Sequence, residues 1–141
     1  MDDALFYKIA DEVATIPQIA QFAFNGLGEP LLDKRITEFI AYVRRTSPYM
    51  RLMLHTNGVM LTDPQALRDA GLDHLTVSLN AVTAKQHEQV MGLKGQFDKV
   101  CANTDKARAV KGWTVSVRAV YSQDKFNEQD VAQLQERWGD N

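Results

Sequence analysis

Four short apolar runs, each separated from the next by a stretch with helical periodicity, constrain this chain more than any other feature. The runs cover residues 21–24, 51–55, 75–79 and 113–121. Successive runs lie roughly 25–40 residues apart, the size of a βαβ unit. Strands alternating with helices through short connections predict a parallel sheet with helices outside it.

The helical stretches carry their own punctuation. Leu5, Ile9 and Val13 recur at helical spacing behind Asp2 and Asp3, and Pro17 closes that segment. Ile36, Phe39, Ile40 and Val43 form the i, i+3, i+4, i+7 face of a second helix, with Asp33 as its expected cap. Thr62-Asp63-Pro64 starts a short third helix with proline at or near its first position, and Gly71 suits its C-terminal turn. Thr83 with Gln86 makes a capping box for a fourth. Gly92 and Gly95 divide it from a fifth, which carries Phe97, Val100, Cys101, Thr104 and Ala107. Asn127 caps a last helix with Val131, Leu134 and Trp138 on its inner face.

Composition narrows the function classes. With 141 residues, 45% of them hydrophobic and 24% charged, the chain builds a core and reads as one domain or part of one. A net charge of -2 gives no electrostatic case for a nucleic-acid or membrane partner. No apolar run approaches the roughly 20 residues that span a bilayer. The Met-Asp-Asp start has the wrong sign for a secretory leader, so the expected location is the cytoplasm. The single cysteine, Cys101, lies on an apolar helical stripe and reads as a buried, inert thiol. His55, His74 and His87 show no i, i+4 pairing, so no zinc site is expected.

The unusual residues gather where the strands end. Asn25, Gly26, Gly28 and Glu29 follow the first strand, and Thr56, Asn57 and Gly58 follow the second. Ser78 and Asn80 end the third, while Arg118 and Ser122 lie in or after the fourth. In a parallel sheet the loops after strand C-termini share one side, and ligands bind there. Each group also has a plainer reading: glycine for a positive φ, Asn57-Gly58 as a turn, Ser78 satisfying local backbone, Arg118 in a salt bridge. Together, on one side, they point to a cleft for a polar ligand. No Gly-Lys-Ser/Thr follows the first glycine turn, and Glu29-Pro30 interrupts any dinucleotide fingerprint. A turn without Cβ atoms lets backbone carbonyls approach a ligand ammonium, with Glu29 adding negative charge. That chemistry suits the amino group of an amino acid better than a phosphate.

Gly26-Leu27-Gly28-Glu29-Pro30-Leu31-Leu32 resembles the Gly-x-Gly-Glu-Pro-Leu-Leu turn of radical SAM enzymes. Thr56-Asn57-Gly58 with Leu61-Thr62 is similar to their Thr-Asn-Gly-x-x-Leu-Thr segment. Ala70-Gly71-Leu72-Asp73 with Val77-Ser78-Leu79-Asn80 is similar to their Ala-Gly-Leu-Asp and Val-Ser-Leu-Asp pair. Order and spacing agree from about residue 20 to residue 110.

The resemblance implies an α/β fold, a partial (β/α)₆ TIM-like barrel, of which about four parallel strands are present. Residues 1–141 would then be part of a core domain, with these runs as barrel strands two to five. Strand one, bearing a Cys-x-x-x-Cys-x-x-Cys loop, is expected before Met1, and strand six after Asn141. The resemblance also implies S-adenosyl-L-methionine as cofactor, and a [4Fe-4S] cluster in the parent protein only. Gly26, Leu27, Gly28 and Glu29 would meet the methionyl amino group, and Thr56 and Asn57 would lie near the cofactor. Ser78 and Asn80 would approach its ribose or carboxylate, with Arg118 a carboxylate partner by position. Leu27 stands where the family most often has glycine, a change tolerated where the contact uses backbone.

The implied reaction is reductive cleavage of S-adenosylmethionine to a 5′-deoxyadenosyl radical that abstracts a substrate hydrogen. The implied substrates are a peptide, a small molecule or RNA. One cysteine cannot supply the three or four ligands of a cubane, so the isolated chain is expected to be inactive. Two other readings stay open: a cluster-free, non-catalytic module binding a nucleoside or S-adenosylmethionine, and an unrelated α/β barrel piece. A partial barrel has unpaired edges, so marginal stability or self-association is expected.

Overall fold

The computed structural model describes residues 1–26, 28–120 and 127–139. Helix α1 (Asp3–Ala14) leads to β1 (Gln21–Phe24), followed by a 3₁₀ turn (Pro30–Leu32) and α2 (Ile36–Thr46). Then come β2 (Arg51–Thr56), α3 (Pro64–Asp69), β3 (His74–Ser78), α4 (Ala84–Met91), α5 (Phe97–Ala109), β4 (Thr114–Arg118) and α6 (Glu128–Trp138). The four strands form one sheet in the order β1-β2-β3-β4, and every pairing is parallel. The α/β expectation therefore holds, with neighbouring strands adjacent in sequence.

Local chemistry explains most element ends. Asp2 caps α1 by accepting from Leu5 N at 2.7 Å, and Asp63 caps α3 by accepting from Ala66 N at 3.0 Å ahead of Pro64. Asn127 and Asp130 form a reciprocal capping box on α6. Gly92 ends α4 in the left-handed region at φ 68.

Three boundaries differ from the sequence reading. Asp33 sits in the turn before α2 rather than at its cap: it accepts from Arg35 N at 3.0 Å and pairs with the Arg35 guanidinium at 2.7 Å. Those contacts hold its carboxyl low, at about 2. Thr83 caps α4 through Gln86 N, but the Gln86 side chain accepts from Val82 N instead of closing the box. The fourth strand is shorter than residues 113–121. Trp113 turns away to donate to Ala107 O at the end of α5, and the Arg118 carbonyl accepts from both Leu79 N and Asn80 N. Tyr121 lies outside the described residues.

Side chains alternate across the pleat. Leu52, Leu54, Leu75, Val77 and Val115 are buried against the helices, joined there by Ile40, Val43, Leu67 and Val100. Phe6 of α1 stacks on Phe39 of α2 with centroids 3.9 Å apart, which seats the first helix beside β1. At the other end α6 docks on α5, where Asp105 receives Trp138 Nε1 at 2.9 Å and Arg137 at 3.0 Å.

One guanidinium ties the lower loops together. Arg44 donates to the carbonyls of Gly71, Pro48 and Met50 and pairs with Asp73, which itself accepts from Leu52 N at 2.8 Å.

The opposite face of the sheet is not packed in this way. Arg51, Met53 and His55 of β2 alternate onto it, as do His74, Thr76 and Ser78 of β3 and Thr114, Ser116 and Arg118 of β4. Of these nine only Thr76 is buried. The chain is thus a twisted ribbon of strands with helices on one side and a polar inner face on the other.

Candidate functional site

The loops after β1 and β2 are fastened to each other by Glu29. Its Oε1 accepts from Thr56 Oγ1 at 2.6 Å and from Leu31 N at 3.1 Å, and its Oε2 accepts from Asn57 N at 2.7 Å. A carboxylate offers about four acceptor positions, so these three donors leave one free. Glu29 is first a brace between two loops, and only its remaining lone pair is available to a ligand. Asn25 adds a second tie, accepting from His55 N at 3.1 Å.

The Thr56-Asn57-Gly58 segment is equally determined. Thr56 Oγ1 accepts from Gly58 N at 3.0 Å while donating to Glu29, and Asn57 Oδ1 accepts from Val59 N at 3.0 Å. Gly58 sits at φ 80, where a Cβ would come within 2.9 Å of Val100 and 3.0 Å of Val77. Buried Asn103 of α5 donates to the Gly58 carbonyl at 2.8 Å, anchoring the loop from below.

Between these loops lies a cavity of about 450 Å³, lined by Asn25, Gly26, Gly28, Glu29, His55, Thr56, Asn57 and Ser78. Gly28 has φ 122, and a Cβ added at Gly26 or Gly28 would meet nothing within 4 Å. The turn thus opens toward free space, where a ligand can approach bare backbone. A second, mostly apolar cleft of about 310 Å³ runs from the same turn along the outer edge of β1, past Phe22, Phe24 and Ile9.

The structure brings together Gly26, Gly28, Glu29, Thr56, Asn57 and Ser78 of the expected site residues. Leu27 and Ser122 lie outside the described residues. Arg118 is in register with Ser78 on the inner face, and its side chain is exposed at the cavity's side. Asn80 is held differently. It adopts φ 53, a conformation uncommon outside glycine, and its side chain accepts from Val120 N at 2.8 Å while donating to Met91 Sδ at 3.0 Å. One end of its amide thus holds the chain after β4 and the other the end of α4.

One lining residue, His55, escaped the sequence reading, while Asn25 stands where the strand-end residues were expected. Burial lowers the His55 pKa, and the Arg118 charge lowers it further, so its imidazole is neutral near pH 7.

The fit to the implied groups can be tested on these residues. The glycine turn, the open lone pair of Glu29 and the free Ser78 hydroxyl suit a zwitterionic amino-acid moiety. A cubane cluster does not fit this chain. Its one cysteine is buried in α5, with burial holding the thiol above its usual pKa. Among the described residues no three His, Cys, Asp or Glu side chains converge. Nor is any described helix long and apolar enough to cross a membrane.

The family model described as "Radical SAM superfamily" matches residues 3–136. A PqqA peptide cyclase of Gluconobacter oxydans is 36% identical over 105 residues, 72% of this chain and 28% of that protein. A probable GTP 3′,8-cyclase of Methanocella arvoryzae is 32% identical over 131 residues, 88% of this chain and 41% of that protein. The chain therefore spans well under two thirds of these relatives. Among solved structures, BtrN in complex with AdoMet and 2-DOIA superposes with TM-score 0.60 at 25% identity, covering 83% of this chain and 44% of that one. Archaeal TYW1 gives TM-score 0.64 at 16% identity, over 95% of this chain and 48% of that one, a likeness of fold.

Proposed function

The chain belongs to the radical SAM superfamily, and from that premise we propose that residues 1–141 form the S-adenosylmethionine-binding part of a radical SAM enzyme core. The observation that carries this reading is the Glu29 brace, which fixes the glycine turn and the Thr56-Asn57 loop on opposite sides of one cavity. Gly26 and Gly28, with Leu27 between them in sequence, belong to the turn that would meet the methionyl ammonium, and Glu29 offers its remaining lone pair. Thr56 and Asn57 flank the cofactor, and Ser78 and Arg118, side by side in register, receive its carboxylate or ribose. Asn80 contributes by holding the β3–β4 junction beside that pair. When bound, S-adenosylmethionine supplies the adenosyl group with which the family abstracts hydrogen from substrate. The protein's share is to orient the cofactor and exclude water.

The cluster that starts this chemistry has no ligands here, so these residues alone are expected to be inactive. The relatives act on a peptide and on GTP by name; for the whole protein the substrate classes are a peptide, a small molecule or RNA. A cytoplasmic location suits all three. The lone buried thiol also supports a second reading, a cluster-free module that binds S-adenosylmethionine or a nucleoside without catalysis.

Calorimetry with S-adenosylmethionine and S-adenosylhomocysteine tests what both readings share. Binding that is lost in Gly28→Val supports them; no binding by the folded wild-type chain sinks both. Sequencing the gene in frame upstream of the Met1 codon separates them. A Cys-x-x-x-Cys-x-x-Cys motif within about 30 residues, one βα unit, favours the enzyme core. A stop codon behind a ribosome site favours the module.

A further inference from the structure

Beginning at His55, which lines the cavity, three hydrogen-bonding side chains stand in one rung across three strands. His55 of β2 is in register with Thr76 of β3, and Thr76 with Ser116 of β4. Neighbouring strands are about 4.8 Å apart, so the rung spans about 10 Å. All three side chains share the inner face, His55 and Ser116 half-buried and Thr76 buried. None of them has a hydrogen-bond partner among the described residues. A structural rung of polar groups would pair with itself or with a covering helix; this one does neither.

The charge around it is one-sided. The chain as a whole has 16 Lys and Arg against 18 Asp and Glu. Yet the inner face carries Arg51 and Arg118 and not one carboxylate among its described strand positions. Arg118 stands one residue pair above the rung, its guanidinium without a partner among the described residues, close enough for its charge to act on His55. The Glu29 carboxylate lines the adjoining cavity, held there by Thr56 Oγ1, Asn57 N and Leu31 N. A ligand entering along the rung meets donors and the charge of Arg118, on described strand positions that carry no carboxylate.

We infer that the His55–Thr76–Ser116 rung, which meets the cofactor cavity at His55, is a substrate subsite that receives an oxyanion, a carboxylate or a phosphate group. The inference rests on the functional reading above, since it takes that cavity as the site. Imidazole N–H and two hydroxyls can each donate to one oxyanion, and Arg118 adds charge from above. A neutral polyol would gain nothing from the bias in charge.

The test is a titration of the full chain followed through the His55 ring signals by NMR. Inorganic phosphate and acetate are added in separate experiments, each against chloride at equal ionic strength. Saturable movement of His55 with phosphate alone identifies a phosphoryl substrate, with acetate alone a carboxylate, and with both an oxyanion site of either kind. Ser116→Ala, at a half-buried position, is expected to weaken the response roughly tenfold, the loss of one charge-assisted hydrogen bond. Its backbone amide spectrum reports that it is folded, and Arg118→Gln should weaken the response in the same direction. Movement no greater than with chloride, or movement unchanged in folded Ser116→Ala, overturns the subsite. S-adenosylhomocysteine is titrated separately against the Gly26 and Gly28 amides. Silence there with a live His55 response defeats the cofactor reading, and the converse defeats only the oxyanion subsite.

Discussion

Glu29 decides the geometry of the cavity with a single carboxylate, and the donors it gathers are not interchangeable. Thr56 Oγ1 and Asn57 N come from β2 and its loop, Leu31 N from the 3₁₀ turn. Glu29→Gln replaces one acceptor oxygen with a donor that must face Thr56 or Asn57. Hydrogen bonds to charged groups contribute about 1.5–3 kcal/mol, so a loss of ~2–3 kcal/mol in urea unfolding is expected. A double-mutant cycle with Thr56→Val should return a coupling of about 1–2 kcal/mol. Strict additivity would mean that the brace is not energetically real. Gly58 is the other exacting position. Alanine there must take a left-handed φ and press on Val100 and Val77, for a cost of about 2–4 kcal/mol. A melt within error of wild type would contradict both causes.

At the level of the element, α4 carries a titration of known sign. His87 is fully buried beside Phe97, and neither ring nitrogen reaches hydrogen-bond geometry. Burial lowers its pKa below 6.5, with the nearby Leu93 backbone pulling weakly the other way. The unfolded chain takes up a proton as pH drops through 6.5 while the native state still refuses it, so stability is full above that pH and declines below it. Half-buried His55 adds to the same slope. Urea midpoints at pH 7.5 and 5.5 should therefore fall further in wild type than in His87→Phe; equal falls would remove His87 as the cause.

Elements were also where sequence and structure agreed best. Capping side chains announce α1, α3 and α6 because those signals are local, although α1 buries Phe6 and Ala10 and leaves Leu5 of the expected stripe exposed. The glycine turn and Thr56-Asn57-Gly58 were legible for the same reason: their residue types suit one backbone shape. His55, Asn103 and the end of β4 were not legible. Which face His55 takes depends on register, Asn103 matters only because α5 lies under Gly58, and β4 stops where Trp113 and the Arg118 carbonyl find partners elsewhere. Apart from the Trp113 contact, each is settled by contacts between segments far apart in sequence.

Over the whole molecule, β1 and β4 each leave one edge unpaired among the described residues, and the apolar cleft beside Phe22 adjoins the first edge. Open edges of this kind template pairing with another chain. Sedimentation velocity is expected to show association growing with concentration up to the order of 100 µM. A lysine placed on β1, Gln21→Lys, should reduce it by burdening the edge with charge. A monomer throughout that range, with a sharp reversible melt, would show that this sheet needs no neighbour.

The strand order has a consequence for synthesis. Because β1, β2, β3 and β4 lie side by side in the order in which they are made, each new strand leaving the ribosome finds its neighbour already waiting. The residues lining the cavity run from Asn25 to Ser78. The residues lining that cavity are therefore all in the nascent chain while β4 and α6 are still untranslated, and only with β4 does Arg118 come to stand beside Ser78.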